Sequence, residues 1–490
     1  MGVFHHLLYL FTAVSMVSMI TVSLVTLVLK MHRDTVPENM DGPESIETAV
    51  PRFHHDKLPG MIVIPVRGES FVLRETVAAA LAQPLVVDGW VDVGIVVSHR
   101  RGDDPRTLEL AKELKRMAPH RIHLIPASPV LNKPAALNGA LERFIVPDGY
   151  KWVMIVDGET KLAPGIVEAE FAKIVEGYDI VTGPVLLTNA STNPDLLPLP
   201  KLPLVGWWGK HFKSVPGLVH RIDPYWARTL RWWRAFLTGW WRFNNCMEYF
   251  PHFRSRMKAF VVAGVVPLPG NTLTYTIEAL ETIGFVPNCL TEDAAGGIKA
   301  CREGLKIYAI LDLKLASLEV TPESLRSLLK QRTRWMQGFQ QVFNMGDWKH
   351  LPKFRQRLVA LFILLFPIYQ AVSGLVAVPL LLLYFTKVPV ILAVFALIPL
   401  VTIIIDILDD LLLAAEFSRV TQQKIRLRDY TGLVLGKFPY QAVLSIAATK
   451  AIWRHLRGKT DWHKTERGEQ SSVAAIATAL TEEPINEHVA

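Results

Sequence analysis

Three short clusters of acidic and basic residues carry most of the chemistry legible in this chain. Asp157-Gly158-Glu159 closes an apolar run from Trp152 to Val156. Two carboxylates flanking a small residue can ligate one hard divalent cation, which would also bind a diphosphate. The same pattern also occurs as a solvated turn. Asp293 lies in Leu290-Thr291-Glu292-Asp293-Ala294. A positioned carboxylate there could take the proton from an attacking hydroxyl. Equally, Thr291 could cap a helix whose first turn favours two acids. Further along, Gln331-Arg332-Thr333-Arg334-Trp335 offers a guanidinium suited to phosphate and an indole suited to the flat face of a sugar ring. The alternative is a basic amphipathic helix on a membrane surface.

These clusters need a frame. Met61 to Pro65, Val91 to Val97, Ile122 to Ile125 and Trp152 to Val156 read as strands. Leu73 to Ala82, Leu108 to Met117 and Ala135 to Phe144 read as the helices between them. Such alternation predicts an α/β, doubly wound parallel sheet, in which ligands bind at the carboxyl ends of strands. Asp157 and Glu159 fall at such an end. Further strands are expected over Val261 to Val266 and Ile307 to Asp312, with a helix over Tyr275 to Ile283. A last helix is expected from Pro322 to Arg334, capped by Thr321.

Residues 190–256 break the alternation. Seven of the thirteen tryptophans lie between Trp207 and Trp241, interleaved with Arg221, Arg228, Arg231, Arg234 and Arg242. Such interleaving suits stacked bases, a lipid headgroup layer or an ordinary packed helical insert. Half of the 490 residues are hydrophobic, mean hydropathy is +0.25 and the net charge is +8. The basic residues cluster beside apolar segments, which favours a membrane surface over nucleic acid. Cys246, Cys289 and Cys301 form neither a disulfide framework nor a zinc spacing.

The expected organisation is an N-terminal transmembrane helix (1–30), a linker (31–58), a cytoplasmic α/β domain (59–345) with its interfacial insert (190–256), C-terminal transmembrane or interfacial helices (346–456) and a cytoplasmic tail (457–490) with a disordered end. Leu358 to Phe385 and Val388 to Leu413 read as spans, the second carrying Asp406, Asp409 and Asp410 near its inner end. Thr431 to Ile452 is interrupted by Lys437 and Pro439 and reads as either a crossing or an interfacial helix.

Together and in this order, the clusters resemble those of the family 2 membrane glycosyltransferases, which include cellulose, chitin and hyaluronan synthases. The resemblance runs from about residue 60 to 345, and Trp462-His463-Lys464-Thr465 is similar to the family's W-x-K-T close. It implies a GT-A-type nucleotide-sugar-binding domain at the cytoplasmic face of the plasma (inner) membrane. Asp157 and Glu159 would bind Mg2+ or Mn2+ with the donor, Asp293 would be the general base with Glu292 beside it, and Gln331, Arg334 and Trp335 would hold the diphosphate and the acceptor sugar. Lys133, in Lys133-Pro134-Ala135-Ala136-Leu137-Asn138, would approach the nucleotide. Pro65 and Glu69 match the segment after the first strand, and Gly270-Asn271 the stretch lining the acceptor. The family's paired acids after the second strand, which would read the base, come late here, with either Asp103 or Asp104 to serve, and Glu159 stands where the family usually has Asp. The implied activity is inverting, processive transfer from a UDP-sugar to a β-linked glycan, coupled to export. The alternative is transfer of a single sugar to a membrane lipid, as in ceramide and hopanoid glucosyltransferases. A non-catalytic membrane scaffold is a third reading, against which the intact Asp293 and Arg334-Trp335 count.

Overall fold

The computed structural model describes residues 58–68, 70–98, 105–126, 132–191, 216–384 and 390–459. The first half runs β1 (Gly60–Val66), α1 (Leu73–Leu81), α2 (Pro84–Val87), β2 (Val91–Val97), α3 (Arg106–Met117), β3 (Ile122–Pro126), α4 (Lys133–Ala140), β4 (Trp152–Ile155), α5 (Ile166–Val175), β5 (Ile180–Thr182) and β6 (Val185–Thr188). There follow α6 (Pro216–Pro251), α7 (Met257–Ala263), β7 (Leu273–Thr276), α8 (Ile277–Ile283), α9 (Glu292–Glu303), β8 (Ile307–Ala309), β9 (Ser317–Val320), α10 (Leu325–Met345), α11 (Phe354–Tyr384), α12 (Val390–Thr421) and α13 (Leu427–Leu456).

Seven strands form the main sheet in the order β3-β2-β1-β4-β7-β5-β8, and β6 pairs with β9 in a second, smaller sheet. β1 lies parallel to β2 and to β4, with Val63 opposite both Gly94 and Ile155. Side chains alternate across the strands, so each face has its own core. Met61 and Val63 pack with Leu137, Val153 and Tyr275 on one face. Ile62 and Ile64 pack with Leu73, Val77, Trp152 and Met154 on the other. Fully burying each such side chain is worth about 1.5–3 kcal/mol, which is how continuous apolar strands come to sit in the middle of a two-faced layer.

The sheet departs from the expected all-parallel form at one strand. β7 runs antiparallel to both β4 and β5. The helix expected from Tyr275 begins at Ile277, because Tyr275 belongs to β7. The strand expected over Val261 to Val266 is instead the end of α7, closed by Gly264 at φ 70°. The strand expected to reach Asp312 stops at Ala309. The helix expected from Pro322 begins at Leu325, with Ser324 rather than Thr321 capping it. The mixed, parallel-rich sheet fits the GT-A-type arrangement.

Three long helices close the described chain. Among the described residues one stretch, Phe354–Val372, is long and apolar enough to cross a membrane. α13 packs Tyr440, Leu444, Ala447, Ala448 and Ala451 against Trp241 of α6, Leu328 and Met336 of α10 and Ala371 of α11. A Cβ at Gly436 would stand 2.7 Å from the Trp240 ring, so that glycine sets how closely α6 and α13 approach. Asp410 of α12 is ion-paired with Lys437 of α13, both side chains largely buried. This pairing gives the acid within the apolar segment and the lysine interrupting α13 a common explanation. The proposed N-terminal span, most of the linker, Glu69, Asp103-Asp104 and Trp462-His463-Lys464-Thr465 lie outside the described residues.

Candidate active site

The reversed strand brings distant pieces of chain to one edge. β4 ends at Ile155 and runs on to Asp157, at the carboxyl end of the parallel strands. Because β7 is antiparallel, Leu273 stands opposite Ile155. The residues entering β7, Gly270-Asn271-Thr272, therefore arrive beside Asp157. The Asn271 side chain fixes this contact. Its Oδ1 accepts from the Asp157 N–H at 3.0 Å and the Thr272 N–H at 2.8 Å. Its Nδ2 donates to Thr160 Oγ1 at 2.6 Å and to Glu319 Oε1 of β9. Asn271 and Glu319 are both buried. The carboxylate on one side and the two N–H donors on the other leave the amide a single orientation.

Lys133 comes from the first position of α4, whose cap is Asn132, its side chain accepting from Ala135 N–H at 3.1 Å. The Lys133 ammonium donates to Asp157 Oδ1 at 2.6 Å and to Gly270 O at 3.0 Å. Burial alone would push this ammonium down. The carboxylates of Asp157, Glu292 and Asp293 outweigh it and hold it above the usual lysine range.

Glu292 and Asp293 occupy the first turn of α9, at the positive end of its dipole. Asp293 Oδ1 accepts from the Ala294 N–H at 2.7 Å. Loss of water, followed by the neighbouring Glu292, raises the Asp293 carboxyl from 3.8 to about 7. Glu292 is also raised by loss of water, against the pull of Lys133 and Arg334. Gly270 makes room for this carboxylate. Its φ is +74°, and a Cβ there would fall 2.0 Å from Asp293 Oδ2. Thr291 makes no side-chain capping bond. It abuts α10 instead, where a Cβ at Gly338 would fall 2.4 Å from its hydroxyl.

α10 supplies the other wall. Gln331 is buried, while Arg334 and Trp335 are half-buried. Arg334 acts electrostatically on Glu292, so α10 and the start of α9 share one field. Trp335 lies 6.2 Å from the Tyr249 ring of α6. The structure thus brings Lys133, Asp157, Gly270, Asn271, Glu292, Asp293 and Arg334 to the carboxyl edge of the sheet, with Trp335 beside α6. Glu159 follows two residues after Asp157, half-buried, and Pro65 sits near the end of β1.

Among the described residues no group of three or more His, Cys, Asp or Glu converges as a metal cage. The donor set nevertheless fits a cation that shares its shell with a diphosphate. Only Oδ1 of Asp157 is engaged by Lys133, and the Asp157 side chain is 35% exposed. Sequence reasoning missed Thr160, Glu319, Glu248 and Arg332. A signal for Glu319 existed: it is an acid in a short strand-like alternation, Ser317-Leu318-Glu319-Val320. Glu248 gave none beyond being a carboxylate among the aromatic residues that end α6.

A family model described as glycosyltransferase like family 2 matches residues 59–338. Among solved structures, the mannosyltransferase PcManGT from Pyrobaculum calidifontis, in complex with GDP-Man and Mn2+, is similar over 89% of this chain and 99% of its own, at 14% identity and a TM-score of 0.50. TarS residues 1–349 from S. aureus matches over 82% of this chain and 90% of its own, at 13% identity and a TM-score of 0.38. No curated protein matches the chain.

Proposed function

The chain belongs to the glycosyltransferase-like family 2, and from that membership we propose an inverting membrane glycosyltransferase that moves a sugar from a UDP-sugar onto the growing end of a β-linked polysaccharide, processively and coupled to export. Its catalytic domain would face the cytoplasm at the plasma (inner) membrane. That it is a nucleotide-sugar-dependent glycosyltransferase follows from the family itself. The observation carrying the catalytic part of the proposal is Asp293: a carboxyl raised to about 7, at a helix N-terminus, in the same electrostatic field as Lys133 and Asp157.

In this reading Asp293 takes the proton of the acceptor hydroxyl as its oxygen attacks the anomeric carbon. The nucleotide diphosphate leaves from the opposite face, and one displacement inverts the centre. Lys133 and Arg334 hold the diphosphate, Gln331 supports α10 from within, and Trp335 presents its ring to the acceptor sugar. Asn271 acts inward, fixing the backbone of Asp157, while Gly270 keeps the acceptor side open to Asp293. Asp157 and Glu159 would hold Mg2+ or Mn2+ together with the donor, and the bound ion would neutralise the departing diphosphate. Chelation should abolish product and weaken UDP binding; full activity in excess chelator would refute the metal.

A second reading is transfer of one sugar to a membrane lipid. It is favoured by the apolar side chains that α13 leaves exposed, Leu427, Leu435, Phe438 and Ile446. These lie on the helix that packs against α10. Product size decides between the two. Membranes holding the full chain are given labelled UDP-glucose, UDP-N-acetylglucosamine or GDP-mannose in turn. A polymer supports the first reading, a glycolipid the second, and no product with any donor defeats both.

A further inference from the structure

Three helices meet at one carboxylate oxygen beside the site. Glu248 Oε2, on α6, accepts from Arg332 Nη2 of α10 at 2.5 Å, from the Tyr440 hydroxyl of α13, and from Asn245 Nδ2 at 3.2 Å. Asn245 also donates to the Tyr440 oxygen at 3.3 Å. The Arg332 side chain is only 5% exposed. Its guanidinium stands 4.2 Å from the Trp335 ring centroid and 5.8 Å from that of Tyr249. Arg332 and Trp335 are three residues apart and so share one face of α10. The guanidinium, the indole and the Tyr249 ring of α6 form one compact cluster, with the two ring centroids 6.2 Å apart.

A simple staple between helices would not need this chemistry. Buried ion pairs often contribute no more than well-packed apolar side chains of similar volume. What an apolar trio could not do is hold a planar cation over one ring in one orientation. We propose that Glu248 and Tyr440 are positioning residues which, acting through Arg332, set the plane of the Trp335 indole and thereby the placement of the acceptor sugar. The inference rests on the reading of Trp335 as the acceptor platform. It makes the acceptor side of the site a joint product of α6, α10 and α13, whereas the donor side is built from the sheet edge and α4 together with Arg334 of α10.

The test uses the full chain in membranes with four near-isosteric or conservative variants: Glu248→Gln, Tyr440→Phe, Arg332→Lys and Trp335→Phe. The first readout needs no substrate. The Trp335 emission, obtained as the difference between each protein and its Trp335→Phe counterpart, should become more accessible to acrylamide in Glu248→Gln and Tyr440→Phe. Arg332→Lys keeps the charge but loses the planar stack, and should do the same. The second readout uses the donor and acceptor that give product in the screen above. Acceptor KM should rise about tenfold in these variants, while UDP affinity stays within about twofold. An unchanged Trp335 signal with unchanged acceptor KM overturns the inference. So does a rise in acceptor KM accompanied by an equal loss of UDP affinity, which would mark a general staple. Trp335→Ala separates the two layers of argument. If it raises acceptor KM and Glu248→Gln does not, only the positioning role fails. If Trp335→Ala leaves acceptor KM unchanged, the acceptor reading fails and the inference with it.

Discussion

A carboxylate that is to take a proton near neutral pH must hold that proton more tightly than a free aspartate does. Asp293 is brought to this state by loss of water and by Glu292 beside it. Asp293→Asn should keep donor binding and lose at least ~100-fold in turnover, the low end for a positioned base; turnover like the parent's would remove Asp293 from the mechanism. The pH dependence follows from the same shift. Below about 7 the residue is neutral and cannot act as a base, so kcat/KM should rise with pH through about 7. A profile that is flat or falling across that value contradicts the assignment. Stability should move the other way. The unfolded carboxyl loses its proton near ~3.9, the folded one near 7. The folded state therefore binds this proton more tightly, and the resulting stability is lost as pH rises from the first value through the second. Asp293→Asn escapes that loss. Its thermal midpoint should exceed the parent's at pH 8 and approach it towards pH 4; no difference between those conditions would mean the shift is not real.

Among the elements, the short entry to β7 carries unusual responsibility. Gly270 must accept φ +74° and leave Asp293 Oδ2 the space a Cβ would take. Gly270→Ala should therefore both lower the thermal midpoint, by the strain of a left-handed alanine, and cut turnover by at least about tenfold by displacing the base. Parent-like turnover would show that Asp293 is not held there. The elements also show what the sequence could and could not disclose. β1 to β4 were legible because continuous apolar runs alternate with helices of clear periodicity. β5, β6 and β9 are only three or four residues each, too short to stand out. Val261-Val262-Ala263-Gly264-Val265-Val266 has strand-forming residues, yet packing against the core makes its start helical, and local propensity yields. Thr321-Pro322 and Ser324 are both good helix starts; Ser324 accepts from Ser327 N–H and wins. At the site, Lys133, Asp157 and Asp293 were legible as local motifs. Glu248 was not, since its meaning depends on where α6, α10 and α13 meet.

On the scale of the molecule, the Trp/Arg segment divides in two over its described tryptophans, Trp207 and Trp208 lying outside the described residues. Trp241 is buried and Trp240 packs against Gly436, whereas Trp232 and Trp233 are 37% and 50% exposed. Among these four tryptophans the exposed pair suits a lipid headgroup layer. Brominated lipids should quench emission from Trp232 and Trp233, and Trp232→Ser/Trp233→Ser should lose that part of the signal; an unchanged quenched fraction would end the interfacial reading. The reversed strand also has a consequence for how this protein is made. β7 is inserted between β4 and β5, yet it leaves the ribosome about 120 residues after β4. At ~5–20 residues per second, the β4 edge stays unpaired for many seconds of synthesis. An open apolar edge is a template for the wrong partner. Nascent chains halted before residue 273 should accordingly be captured by chaperones or aggregate, and chains halted after α8 should not. Equal solubility of the two sets would show that β4 is protected by some other means during translation.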